Sequence, residues 1–279
     1  MEPRSVYEYH KAGNVVYLTF PFITGNSGVK AIFSTRLGGL SSPPYDSLNL
    51  GIHVGDDAYN VLVNRRRLCD AVGVKYSKLV CASQVHGCQV KVVNPKQTGR
   101  GVQFASDAIP DCDGLVTASP DVPLALFFAD CVPIYFFDPV NRVIALAHAG
   151  WRGTFQRIGL KTIEVMARQF GSVPEQVLVV IGPAIGSCCY EIGNDVADSF
   201  TREFPDCSGF LRAITSGKWR LDLKEANRQV LQEAGLKDEH IAVSDLCTSC
   251  QQNLFFSYRA SGGKTGRMAA VMMLEKCNN

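Results

Sequence analysis

The sequence has no apolar run approaching the roughly 20 residues that a membrane-spanning helix needs. Its first ten residues are polar and lack the apolar segment of a secretory signal. Positive and negative charges nearly cancel, and the net charge of +2 gives no indication of nucleic-acid or membrane binding. Because there is also no repeat or linker-like tract, we predict one cytoplasmic domain over residues 1–279, with the oligomeric state left open.

Familiar cysteine and histidine motifs are also missing. There is no HExxH, and the single CxxC, from Cys247 to Cys250, has no second CxxC with which to form a zinc ribbon. We therefore interpret these two cysteines as free thiols. The total of 11 cysteines is odd and scattered through apolar segments, which is typical of a reducing compartment. The vicinal Cys188 and Cys189 cannot easily pair with each other and are expected to be buried or to face a substrate.

Apolar runs of strand length recur along the chain, and helical patterns fall between some of them. Asp222 is the expected N-cap of a helix that ends near residue 234, Thr154 caps another that Gly171 terminates, and i+4 spacing from Ile192 to Phe204 predicts a third. Consecutive strands favour antiparallel pairing, so we predict an α+β domain with sheet packed on sheet and helices outside. The predicted strands are residues 15–20, 31–35, 79–83, 90–93, 115–117, 124–128, 132–137, 143–147, 177–181 and 268–274.

A predicted hairpin suggests the first site. Residues 138–142 (DPVNR) have the composition of a turn between two strands. If the turn centres on Pro139 and Val140, paired positions sum to 279, and Cys131 then lies opposite His148. Cross-strand partners have Cβ atoms about 5 Å apart, so one metal ion would reach both side chains. A bulge would shift this register.

Catalytic zinc sites use three protein ligands, and His86 is the favoured third one because it follows a predicted strand and precedes a glycine. His53 is a possible outer member. We place His10 in a frayed terminus and His240 in a polar connection. The competing interpretation is that these histidines and cysteines are packed core groups without a metal.

Two arginines have neighbours that suit an anion clamp. Arg36 follows a predicted strand among small residues, and Arg259 lies beside aromatic residues, so either guanidinium would suit a phosphate or carboxylate. Surface ion pairs are the alternative. The run of three arginines at residues 65–67, within a predicted helix over residues 56–72, is interpreted as a solvent-exposed face.

Ten short motifs, in order, carry a resemblance to a known family. They are STRLGG (34–39), SLNLG (47–51), GDD (55–57), QVHG (84–87), DGLVT (113–117), ADCVPI (129–134), AHAGWRGT (147–154), GPAIGSCCYE (182–191), FSYR (256–259) and TGRM (265–268). From about residue 30 to the C terminus, the chain resembles the YfiH-type purine nucleoside phosphorylase family, long known as laccase-domain or polyphenol oxidase proteins.

The resemblance implies a single-domain α/β/β/α sandwich with mixed sheets and outer helices, similar to the catalytic domain of cytotoxic necrotising factor toxins. It also implies zinc, with copper less favoured, held by the histidine of QVHG, the cysteine of ADC and the histidine of AHAGW. These are His86, Cys131 and His148. The implied activity is phosphorolysis of adenosine, inosine and methylthioadenosine, with adenosine deamination beside it, so purine nucleosides and phosphate are the expected partners.

Roles for other residues follow as hypotheses. Deamination needs a hydroxide, which zinc supplies by lowering the pKa of water to about 7. Asp113 or Asp130 would shuttle the proton, so both are grouped with Cys131 as catalytic candidates. The substrate-binding candidates are Arg36, Arg259 and Asn49: an arginine would hold phosphate and the asparagine would hydrogen-bond base or sugar.

Three alternatives remain open. A copper-dependent polyphenol oxidase would need many more histidines than the five present, usually in HxH pairs, and the chain has no such pair. A metal-free cysteine hydrolase would use Cys131 as nucleophile and His148 as base. A non-enzymatic metal-binding or partner-binding module is the third.

Overall fold

Two six-stranded sheets dominate the fold, which is taken from a computed structural model that describes residues 5–25 and 28–276. The strands in the described part are β1 (Glu8–Ala12), β2 (Val15–Thr19), β3 (Val29–Ser34), β4 (Val80–Cys81), β5 (Val90–Val92), β6 (Gly114–Thr117), β7 (Leu124–Phe128), β8 (Val132–Asp138), β9 (Val143–Ala149), β10 (Leu178–Ile181), β11 (Glu191–Gly193), β12 (Leu211–Thr215), β13 (Lys218–Leu221), β14 (Ile241–Val243) and β15 (Met268–Leu274). The α-helices there are α1 (Pro21–Thr24), α2 (Ala58–Val72), α3 (Trp151–Phe155), α4 (Ile158–Phe170), α5 (Asn194–Glu203) and α6 (Leu223–Glu233).

The sheets and helices form four layers. One sheet has the order β1-β2-β3-β15-β7-β4 and the other β14-β10-β8-β9-β6-β5, while β11-β13-β12 form a small third sheet. Apolar side chains of both large sheets share one buried cluster, and the hydroxyl of Tyr135 crosses it to donate to the Ile32 carbonyl at 2.8 Å. Helix α2 packs on the outer face of the first sheet, and α4 and α6 on that of the second. This order confirms the predicted α+β sandwich with outer helices.

Helix ends show where local sequence signals were sufficient. The Asp222 side chain accepts from two backbone N–H groups and caps α6, and Gly171 ends α4 in the left-handed conformation, both as predicted. The Thr154 prediction was wrong: Thr154 lies inside the short α3, and α4 begins after Arg157. The third predicted helix begins later than Ile192, which lies in β11, because α5 starts at Asn194.

No helix in the described ranges is both long and apolar enough to cross a bilayer.

The interpretation of residues 65–67 as a solvent-exposed face is wrong for Arg65. Its side chain is buried, and the guanidinium donates to the carbonyls of Leu50, Gly101 and Val102 at 2.8–2.9 Å. It also lies 4.3 Å from the ring centroid of Phe127 in β7. Three carbonyl acceptors offset the desolvation of the charge, so Arg65 holds two loops against the first sheet.

The β8–β9 hairpin has a different register from the predicted one. Pro133, rather than Cys131, pairs with His148, because the turn has four residues and Asp138 pairs with Val143. The Asp138 carboxylate stabilises this longer turn by accepting from the N–H groups of residues 140 and 141 at 2.8 and 3.0 Å. The observed pairing is shifted by two residues from the predicted one, and side chains two residues apart on a strand point to the same face of the sheet. Cys131 therefore remains a diagonal neighbour of His148.

The N-terminal histidine is part of the first sheet. The prediction of a frayed terminus is wrong for His10, which lies in β1, pairs with Tyr17 of β2 and stacks on that ring with centroids 5.4 Å apart. The Nε2 atom lies 2.8 Å from the Thr19 hydroxyl. His10 therefore stabilises a β-hairpin at the sheet edge.

Candidate functional site

Three of the predicted site residues converge at one end of the sandwich. His86 lies in the loop after β4, Cys131 between β7 and β8, and His148 near the end of β9. Their ligand atoms all lie within 4.8 Å of one another, and the two imidazole rings meet edge to face with centroids 4.8 Å apart. Zinc binds nitrogen at about 2.0–2.1 Å and sulfur at about 2.3 Å. Small side-chain adjustments therefore suffice for the three residues to share one ion.

Asp113 connects two of these residues from behind. Its buried Oδ1 accepts from the His86 backbone N–H at 3.0 Å and from Nδ1 of His148 at 2.8 Å. Oδ2 accepts from the N–H groups of Val85 and Gly87 at 3.2 and 2.7 Å. An ionised carboxylate only accepts hydrogen bonds, so Nδ1 of His148 carries a proton, and Nε2 is the nitrogen that a metal would bind in place of its proton.

Burial and hydrogen bonding oppose each other at Asp113. Burial by itself raises the pKa of this carboxyl, but the hydrogen bonds from His148 and from the backbone of Gly87 and Val85 outweigh it and lower the pKa below its ordinary value. Asp113 therefore stays ionised at neutral pH.

Cys131 and His148 influence each other's protonation. Burial raises the pKa of the Cys131 thiol, but the adjacent His148 and His86 outweigh burial and lower it to about 6. Burial lowers the pKa of His148, whereas Cys131 and Asp113 raise it to about 9. The sulfur is therefore a thiolate at neutral pH, the form that binds metals and attacks electrophiles.

Close packing around the three residues favours glycine at position 150. A Cβ atom there would lie 3.1 Å from the Cys131 sulfur and 3.2 Å from Cδ2 of His86, closer than ordinary contact. The His86 loop is held from its other side by Gln84, whose amide exchanges two hydrogen bonds with the backbone of Phe127 at 2.8 and 2.9 Å. The loop position therefore depends on β7 and on the AHAGW segment together.

The three residues open into a cavity of about 440 Å³. That volume is within the usual range of small-molecule sites, about 300–1,000 Å³. Its walls combine aromatic rings with guanidinium groups, a composition that suits a flat, polar ligand with an anionic partner. The lining residues with these properties are Phe127, Trp151, Tyr190, Tyr258, Arg152, Arg259 and Arg267.

Asp130 and Arg259 both line this cavity and are linked to each other. Asp130 is buried, and its carboxylate accepts from the Thr248 hydroxyl and from the Arg259 backbone N–H, both at 2.7 Å. The Arg259 guanidinium donates to the Glu191 carbonyl at 2.7 Å and lies 4.9 Å from the Tyr190 ring centroid. These contacts fix the guanidinium in the cavity wall.

Arg36 and Asn49 lie outside the cavity lining. The Arg36 guanidinium contacts the Asp46 carboxylate at 3.0 Å and donates to the backbone carbonyls of Asp46 and Gln252 at 2.7 and 2.9 Å. The Oδ1 atom of the buried Asn49 accepts from the Arg267 backbone N–H at 2.9 Å. Asn49 therefore reaches the cavity only through Arg267.

Residues 30–275 match the profile of a family described as multi-copper polyphenol oxidoreductase laccase. The chain belongs to this family. It is 45% identical over 247 residues to purine nucleoside phosphorylase YlmD of Geobacillus stearothermophilus, covering 88% of this chain and 90% of that protein. It is also 34% identical over 247 residues to adenosine deaminase RL5 of an unknown prokaryotic organism, covering 88% and 94%. The crystal structure of YlmD from Geobacillus stearothermophilus matches with a TM-score of 0.92 and 41% identity over 97% and 99% of the chains.

Sequence reasoning missed several cavity residues of this laccase-family chain. Arg267 belongs to the TGRM motif and Tyr190 to the GPAIGSCCYE motif, but the sequence alone indicates no role for either residue. Arg267 is partly buried, and burial lowers the pKa of its guanidinium group. His53 lines the same cavity, and burial followed by the charge of Arg267 lowers its pKa. An arginine among glycines beside a strand was the available signal for Arg267, and it is a weak one.

Proposed function

We propose that the protein is a zinc-dependent purine nucleoside phosphorylase that acts on adenosine, inosine and methylthioadenosine and also deaminates adenosine. The observation that carries this proposal is the convergence of His86, Cys131 and His148 at the wall of a cavity with aromatic and guanidinium walls. The names of the two relatives, one a phosphorylase and one a deaminase, support the pairing of activities.

The donor set fits zinc. Two imidazole nitrogens and one thiolate beside a cavity match the three protein ligands that a catalytic zinc site would use. When bound there, zinc acts as a Lewis acid and lowers the pKa of water to about 7, which provides a nucleophile for deamination. Thiolate and imidazole ligands also accept copper, but a multicopper centre needs more histidines than the five in this chain.

The cavity walls suit the two substrates of phosphorolysis. Tyr190 and Tyr258 line the cavity, and aromatic side chains suit contact with a purine. The guanidinium groups of Arg259 and Arg267 lie in the same wall, and arginine is well suited to bind phosphate. We therefore assign phosphate binding to these two arginines, with Arg259 retained from the sequence hypothesis.

The two aspartates receive different roles. Asp130 lines the cavity, so we assign it proton transfer to or from the substrate. Asp113 is completely buried, and its two oxygens already accept four hydrogen bonds. The better role for Asp113 is to orient His148 and the His86 loop.

We likewise assign Arg36 and Asn49 indirect roles in substrate binding. The donors of Arg36 contact Asp46 and Gln252, so its effect on the cavity is to hold the loop around residue 46. Asn49 would place Arg267 for phosphate through the hydrogen bond to its backbone.

The proposal is tested by incubating metal-assayed protein with adenosine, with and without phosphate. We expect phosphate-dependent release of adenine and phosphate-independent formation of inosine, both resolved by chromatography. Cys131→Ala should lose the metal at this centre and both activities, whereas Cys207→Ala, which alters a half-buried cysteine elsewhere, should keep them. A Cys131→Ala protein that lacks this metal and remains fully active would refute the proposal.

The thiolate character of Cys131 supports a second candidate, a metal-free hydrolase with His148 as the base. The two candidates differ in the effect of a chelator. Removal of the metal should abolish nucleoside turnover and accelerate alkylation of Cys131 under our proposal, and should leave turnover unchanged in a cysteine hydrolase. Copper-dependent phenol oxidation without nucleoside turnover would instead favour the oxidase.

A further inference from the structure

Four cysteines form a second cluster, separate from the cavity. Cys188 and Cys189 follow β10, and Cys247 and Cys250 follow β14. All four sulfur atoms lie within 4.8 Å of one another, with Cys250 3.5 Å from Cys188 and 3.4 Å from Cys189. The vicinal pair was expected to be buried or to face a substrate, and burial is wrong for Cys188, which is exposed. Both sulfur atoms contact that of Cys250 in the CxxC.

The backbone holds these two segments in register. Cys247 forms an isolated parallel bridge with Ala184, and the Thr248 N–H donates to the Ala184 carbonyl at 3.0 Å. The Gly186 N–H points at the Cys247 sulfur, with nitrogen 3.2 Å from sulfur. A Cβ on Gly186 would lie 3.1 Å from the Cys188 sulfur, so glycine permits the close approach. An N–H donor directed at a sulfur stabilises the negative charge of a thiolate.

The separations between the sulfur atoms exclude formed disulfides and are compatible with a shared ion. A disulfide joins two sulfurs at about 2.05 Å, whereas four sulfurs around zinc at about 2.3 Å lie roughly 3.8 Å apart by tetrahedral geometry. Cys250 is nearly equidistant from Cys188 and Cys189 rather than paired with one of them. Four thiolates with no other donor form a closed set that suits a structural site.

We propose that Cys188, Cys189, Cys247 and Cys250 bind a structural zinc ion, distinct from the metal at His86.

This ion would fix part of the cavity wall. Tyr190 directly follows Cys189, and its ring lines the cavity. Thr248 directly follows Cys247 and donates to the buried carboxylate of Asp130. An ion bound to both segments would therefore fix the positions of Tyr190 and Asp130 relative to each other. The ion itself would not contact a substrate.

Metal content of the full-length protein, purified under reducing conditions with zinc, tests the proposal. We expect two zinc ions per chain in the wild type, one in Cys250→Ser, one in Cys131→Ala and none in the double variant. Cys207→Ala, outside both clusters, should retain both ions. If the wild type and Cys131→Ala each hold one ion and Cys250→Ser holds none, the result supports zinc at the four cysteines and refutes zinc binding at His86. Wild-type zinc that Cys250→Ser leaves unchanged would overturn the four-cysteine site.

Two measurements on the wild-type chain avoid any folding defect of the variants. Alkylation followed by peptide mass spectrometry should show that zinc protects Cys188 and Cys250 although both are exposed, and that a chelator removes this protection. Cobalt substitution in Cys131→Ala should give the intense sulfur-to-cobalt absorption of a tetrathiolate site. Rapid alkylation with zinc present, a disulfide among the four residues, or iron in place of zinc would overturn the assignment.

Discussion

Replacement of Asp113 by asparagine tests how the site is held together. The substitution keeps the shape of the side chain but exchanges one acceptor oxygen for an NH₂ donor. Each oxygen of Asp113 accepts two hydrogen bonds: Oδ1 from His86 and His148, and Oδ2 from Val85 and Gly87. An amide nitrogen in the Oδ2 position would meet two backbone N–H donors, those of Val85 and Gly87. In the Oδ1 position it would meet the His86 N–H, whereas His148 can change tautomer and accept at Nδ1.

The magnitude follows from those contacts. Each buried donor left without an acceptor costs about 1–3 kcal/mol, so the one or two donors left unsatisfied predict a loss of about 1–6 kcal/mol in the free energy of unfolding. Metal affinity should fall as well, because Asp113 orients the ring of His148. Loss of such an outer partner typically weakens metal binding by about 10–100-fold, which corresponds to about 1.4–2.7 kcal/mol.

Denaturant unfolding of the metal-free protein and competitive zinc titration measure the two effects separately. Asp111→Asn is the matched control, because Asp111 is exposed and its positive φ of 47° is one that asparagine tolerates. Unchanged stability and zinc affinity in Asp113→Asn would refute the bridging role. Lower stability with unchanged affinity would show that Asp113 braces the fold without tuning the metal site.

Two further predictions concern steric fit and pH. Gly150→Ala should weaken metal binding about tenfold, because the new Cβ would lie 3.1 Å from the Cys131 sulfur. Gly209→Ala is the control, since nothing lies within 4 Å of the Cβ added there. Equal zinc affinities of the two variants in titrations would contradict the steric argument. At Asp138, burial raises the pKa, but interactions with Ser172, Asn141 and the turn backbone outweigh burial and lower the pKa below its ordinary value of 3.8. The ionised carboxylate therefore stabilises the fold above that pH and loses this contribution as the pH falls through the folded-state pKa. Asp138→Asn should cost about 1–2 kcal/mol at neutral pH, with the difference from wild type shrinking in acid; a pH-independent difference in denaturant unfolding would contradict this.

Local signals were sufficient for much of the secondary structure. The strands at residues 124–128 and 268–274 begin and end as predicted, and Asp222 caps α6. The apolar runs and the cap residue act over a few positions, so their effect can be read from neighbouring residues. Thr154 failed as a cap because an additional short helix, α3, occupies its position and contacts elements far away in the chain.

The sequence by itself determined the layered α+β character and the three residues His86, Cys131 and His148 as a candidate centre, since periodicity and side-chain chemistry are local properties. Only the tertiary structure decided the hairpin register, the burial of Arg65 and the place of Arg267 in the cavity wall. It also decided that cysteines about 60 residues apart meet in one cluster. The physical reason is that strand pairing and packing between distant segments set these distances, and no short stretch of sequence contains that information.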